Sequence, residues 1–116
     1  GKRAEPSKLF VFNEALNTFM GERAILIETL AEFIQKVESQ LAEMRLLLAK
    51  GDFETLRREA HSIKGGSWNL SMKEFGDAAG ILESSARENR QADSAEALEK
   101  LEALFPRLKK EVEAVI

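Results

Sequence analysis

The chain contains no cysteine. That excludes disulfides and thiolate metal sites, and it fits a reducing compartment. Proline is equally scarce, with two residues, and glycine occurs seven times in 116 residues, so few positions interrupt regular structure. No apolar run is long enough to span a bilayer, and no charged-then-apolar leader is expected for the domain. A cytoplasmic location without membrane contact by this domain is therefore expected. Charge of one sign is also lacking: 17 basic and 20 acidic residues give a net charge of −3. Such a scattered, slightly acidic surface argues against a nucleic-acid partner. Histidine occurs once, at position 61.

What is present has helical period almost throughout, and no segment alternates apolar and polar residues as a half-buried strand does. Residues 1–11 are expected to be a flexible leader, the first eight of them polar and including Pro6. A short helix over about 12–20 places Phe12, Leu16, Phe19 and Met20 on one side and ends at Gly21. A long helix over about 22–50 carries an apolar seam of Ile27, Leu30, Ile34, Val37, Leu41, Met44 and Leu48, and Gly51 stops it. Asp52 is a candidate N-cap for a third helix over about 52–69.

Ser71-Met72-Lys73-Glu74 has the form of a capping box and predicts a fourth helix running to about 89, buried through Phe75, Ala79, Leu82 and Ala86. Asp93-Ser94-Ala95-Glu96 has a related pattern and predicts a fifth helix start. Leu98, Leu101, Phe105, Leu108, Val112 and Val115 face inward from it, with Pro106 expected to kink or break the last part. Four substantial amphipathic helices with short loops predict an all-α, antiparallel up-down-up-down four-helix bundle over 12–116, capped by the short N-terminal helix. A closed bundle of this kind is expected to be monomeric. The chain opens Gly1-Lys2-Arg3 without methionine, which suits a module excised from a larger protein.

The stretch REAHSIKGGSWNL, residues 58–70, carries the chemistry. On a helical wheel Phe53, Leu56, Ala60, Ile63 and Ser67 cluster on a side centred about 120° from His61, which puts the imidazole outside the core. Arg57, Lys64, Gly65 and Trp68 fall within about 60° of it. Each glycine costs roughly 1 kcal/mol relative to alanine in a helix interior. Gly66 points away and suits close helix packing. Gly65 faces the histidine side, where a missing side chain makes room for another molecule.

An exposed imidazole offers a free nitrogen lone pair. Metal binding is poorly supported, because no second histidine and no cysteine accompany it and the nearby cations repel a divalent ion. Hydrolase chemistry would want an orienting carboxylate and a nucleophilic hydroxyl in a pocket, and neither Ser62 nor Ser67 projects from the same stripe as His61. Nucleophilic attack on an activated phosphoryl group, with Lys64 neutralising the product, fits best.

The segment AHSIKGGSWNLS resembles the signature of histidine-containing phosphotransfer (HPt) domains. His61, Lys64, Gly65, Gly66, Ser67, Asn69 and Leu70 match it. The resemblance implies that His61 accepts the phosphoryl group, Lys64 stabilises it and Gly65 leaves room for the partner. The implied partners are response-regulator receiver domains: the group is taken from an aspartate on one receiver and passed to another. A histidine kinase core in the same polypeptide is a further implied partner. The domain itself is expected to need no cofactor, the Mg²⁺ belonging to the receiver, and to have no autonomous kinase activity, in line with the missing nucleotide-binding fingerprints.

Phe12, Leu16 and Ile25 are candidates for the docking surface. Ser71 stands where the family usually has glycine, and Arg57 and Trp68 lie outside the motif. The competing readings are a non-catalytic helical interaction or dimerisation module, a degenerate domain, and the phosphoacceptor domain of a chemotaxis-type kinase.

Overall fold

A computed structural model describes residues 8–116, so most of the expected leader lies outside the described residues. Among the described residues there are five helices and no strand. These are α1 (Phe12–Thr18), α2 (Arg23–Lys50), α3 (Phe53–Asn69), α4 (Lys73–Arg87) and α5 (Gln91–Glu113). The packing α2–α3, α3–α4, α4–α5 and α2–α5 closes a four-helix ring, and α1 lies against α2. The expected bundle and its capping helix are both present.

The expected core residues fill the ring. Leu30, Val37 and Met44 from α2, Leu56, Ala60 and Ile63 from α3, Phe75, Ala79 and Leu82 from α4, and Leu98, Leu101, Leu108 and Val112 from α5 are all buried. At roughly 1.5–3 kcal/mol for each large apolar side chain removed from water, this shared core is what keeps four helices together. One detail of the seam shifts: Leu26 is the buried residue near the start of α2, and Ile27 is half-buried.

Between α2 and α3, Gly51 adopts a left-handed backbone (φ 73°), and Asp52 Oδ1 accepts a hydrogen bond from the Thr55 amide at 3.2 Å. The α2 stop and the α3 cap thus follow the sequence expectation. The most extensive packing is between α3 and α4, where small residues meet. A Cβ on Gly76 of α4 would lie 3.1 Å from Ser67 Cβ of α3, and on the other side of α3 a Cβ on Gly66 would lie 2.6 Å from the Phe33 ring of α2. Gly66 is therefore the packing glycine that the wheel suggested.

Five expectations need correction. The leader does not extend to residue 11. Leu9 and Phe10 are buried, their amides donate to Glu111 Oε1 at 2.9 and 3.1 Å, and the Val11 amide donates to the Ser71 carbonyl at 3.2 Å. The apolar run Leu9–Phe12 is long enough to cover the bundle end, so the ordered domain begins before α1.

Met20 does not share the buried side of the first helix. It is exposed, beyond the helix end, with a left-handed backbone (φ 56°). Ser71 does not cap α4: Met72 is the N-cap, without a side-chain hydrogen bond, and Ser71 takes φ 59°. That conformation is disfavoured for a side chain by roughly 1–2 kcal/mol, which is the physical reason glycine suits this turn. Finally, Asp93 lies inside the first turn of α5, not at its cap, and α5 continues through Pro106 instead of breaking there.

Candidate functional site

His61 projects from the middle of α3 with 63% of its side chain exposed, outside the core as the wheel requires. Its Nδ1 lies 2.9 Å from Glu83 Oε2 on α4. An ionised carboxylate only accepts hydrogen bonds, so in the neutral imidazole this contact selects the tautomer with the ring proton on Nδ1 and the lone pair on Nε2. Nε2 has no hydrogen-bond partner among the described residues. The imidazole is thus oriented from behind and open in front.

Glu83 is the hub of the site, with only 5% of its side chain exposed. Lys64 Nζ lies 2.7 Å from its Oε1, and Arg87 Nη2 lies 3.0 Å from its Oε2. A buried carboxylate is stable only when charge and hydrogen bonds are supplied to it, and here three groups from two helices do so. Burial pushes the Glu83 carboxyl up, yet the hydrogen bonds from Lys64 and His61 and their charges outweigh it. The net effect holds it below the usual carboxylate value.

A carboxyl whose folded-state pKa is depressed contributes stability that is complete above the unfolded value of about 4.3 and is lost as pH falls through the lower folded value. Urea unfolding of wild type and Glu83→Gln over that acid range checks this. The wild-type advantage present at neutral pH is expected to shrink steadily below about pH 4.

Of the candidates from the sequence, the structure brings His61 and Lys64 together through Glu83, and Lys64 is 24% exposed. Gly65 is exposed, and a Cβ there would have nothing within 4 Å. Arg57 makes its close contact elsewhere, its guanidinium 2.7 Å from Glu54 on the same helix, and feels the Glu83 charge only as a weaker, longer-range attraction. Its part is taken by Arg87, one turn beyond Glu83. Trp68 is 53% exposed beside Lys64. Of the expected docking residues only Ile25 is exposed. Phe12 and Leu16 are half-buried against the core, with the Arg23 guanidinium 5.0 Å over the Phe12 ring.

Sequence reasoning missed Glu83 and Arg87. The signal for Glu83 was nonetheless present. Ala79, Leu82, Glu83 and Ala86 occupy one helical face, and an acid among buried residues demands partners from a neighbouring helix.

Among the described residues no group of three or more His, Cys, Asp or Glu side chains is placed to hold a metal ion, and no helix is long and apolar enough to cross a membrane. Comparison with known proteins agrees with the geometry. The family model for the Hpt domain matches residues 28–116. The phosphorelay intermediate protein rdeA of Dictyostelium discoideum is 29% identical over 110 residues, covering 95% of this chain and 41% of that protein. The chain thus spans less than half the length of that relative. No solved structure matches. With a bundle of the right kind, a solvent-facing histidine on its second long helix and a family match over most of its length, the chain belongs to the Hpt domain family.

Proposed function

We propose that this domain is a phosphorelay carrier in which His61 Nε2 accepts a phosphoryl group from the aspartyl phosphate of a receiver domain and passes it to another. The observation that carries this reading is the Nδ1–Glu83 contact, because in the neutral ring it directs the Nε2 lone pair to the open face of α3, where Nε2 has no partner among the described residues. In the forward step the Nε2 lone pair attacks phosphorus while the phosphorus–oxygen bond to the receiver aspartate breaks. The aspartate leaves as a carboxylate with the bonding electrons.

The imidazole keeps its Nδ1 proton and becomes a phosphoimidazolium whose positive charge faces Glu83. No proton needs to move, so the reverse step to a second receiver is open. Lys64 supplies the neutralising cation for the phosphoryl oxygens from within the same cluster. Mg²⁺ belongs to the receiver in this reading, and this domain supplies the histidine, the lysine and the clearance at Gly65. Attachment to a histidine kinase core, a monomeric state and a cytoplasmic location complete the proposal.

The test is incubation with a receiver phosphorylated on its aspartate. Label is expected to move to the domain and to be acid-labile and alkali-stable, as a phosphoimidazole is. Lys64→Ala is expected to slow transfer roughly ten-fold while helicity by circular dichroism is kept. A wild-type domain that stays unlabelled with every receiver tried would overturn the proposal.

A further inference from the structure

Lys64 is held from three sides. Its ammonium meets Glu83 Oε1 at 2.7 Å and lies 5.4 Å from the centroid of the Trp68 ring. Its stem passes over Gly80, where a Cβ would lie 3.3 Å from Lys64 Cδ. The indole is itself seated. Its Nε1–H donates to Asp77 Oδ1 at 3.2 Å, and a Cβ on Gly76 would lie 2.4 Å from its Cδ1. Two glycines one turn apart on α4 thus carry the tryptophan and the lysine side by side. Asp77 also accepts from Lys73 Nζ at 3.0 Å, which anchors it as the acceptor for the indole.

A lysine stem has four rotatable bonds, and in the open it distributes its ammonium over a wide volume. An indole face attracts a cation and restricts that volume, and a half-exposed ring leaves the cation free to move toward a newly arrived anion. Trp68 contributes little to the core, so its elaborate seating calls for another explanation.

We propose that Trp68 is a positioning residue for Lys64, keeping the ammonium beside Glu83 and within reach of a phosphoryl group on His61. This rests on the phosphoryl-acceptor reading of His61 and adds to it a device outside the signature segment's histidine and lysine. When Nε2 takes the phosphoryl group, the ammonium shifts from the Glu83 and indole wedge toward the phosphoryl oxygens. Arg87 remains to neutralise Glu83.

Phosphoramidate separates positioning from docking, because it is a small phosphoryl donor with no protein surface. Its phosphorus–nitrogen bond breaks as the Nε2–phosphorus bond forms, and ammonia leaves with one proton from solvent. Trp68→Ala is expected to slow labelling by phosphoramidate roughly five- to ten-fold, and Trp68→Phe, which keeps an aromatic face, to restore most of the rate. Gly76→Ala keeps the tryptophan but displaces it, and should resemble Trp68→Ala.

Trp68 is the single tryptophan and the chain has no tyrosine, so its emission reports the stack directly. A change on phosphorylation is expected in wild type and is expected to vanish in Lys64→Met. Labelling of Trp68→Ala at the wild-type rate, or an emission change that persists in Lys64→Met, would overturn the proposal. Failure of wild type to label with either phosphoramidate or a receiver would instead strike the acceptor reading itself.

Discussion

His61→Gln is expected to abolish phosphoryl acceptance from receivers and from small donors alike. The chain has no second histidine to take over, and a glutamine amide has no nucleophilic lone pair on nitrogen. The fold should hardly notice. The side chain is 63% exposed, and Glu83 keeps Lys64 and Arg87 when the imidazole is lost. A stability change within about 1 kcal/mol is expected, because the imidazole is exposed and the buried Glu83 carboxylate keeps two cationic partners. Transfer assays with radiolabelled receiver and thermal unfolding check the two halves. Equal labelling of wild type and variant would place the acceptor elsewhere.

Gly65→Gln is expected to separate transfer from stability most sharply. The other glycines around the site are explained within the chain: Gly66 by Phe33, Gly76 by Trp68 and Gly80 by Lys64. Gly65 has no such neighbour, although a helical glycine costs roughly 1 kcal/mol relative to good helix formers. Filling that space should raise stability by up to about 1 kcal/mol, seen as a melting temperature a few degrees higher.

Docking of a receiver is another matter. A side chain beside His61 holds the aspartyl phosphate away from Nε2, and a misplacement of about 1 Å can cost roughly 100-fold in rate. Transfer from a receiver is therefore expected to fall by about that factor, with phosphoramidate labelling near the wild-type rate. Normal transfer from the receiver would remove the reason for a bare helix surface at this point.

The bundle was legible because its four long helices each carry an apolar stripe in step with the helical period, and residues such as Leu56, Ile63, Leu82 and Leu108 could be placed inward without knowing their neighbours. His61, Lys64 and Gly65 were legible for the opposite reason, since they fall off that stripe. The Glu83 hub was harder to see. Its role depends on which helix lies against α3, and 22 positions separate it from His61 along the chain.

Arg57 illustrates the same limit. A wheel places it near His61, but the local Glu54 captures it first. At the turn before α4, Ser71 satisfies a capping pattern by composition, yet the chain bends there with φ 59°. Backbone geometry, not side-chain chemistry, decides that residue. Leu9 and Phe10 show how a polar beginning can hide the point where burial starts.

The orientation of His61 by Glu83 is the centre of this description, and heteronuclear magnetic resonance of the phosphorylated domain tests it most directly. With label introduced from a phosphorylated receiver, the imidazole nitrogens distinguish which atom carries phosphorus. The expected result is phosphorus on Nε2 of His61 with Nδ1 still protonated and hydrogen-bonded. Phosphorus on Nδ1, or on any residue other than His61, would contradict it.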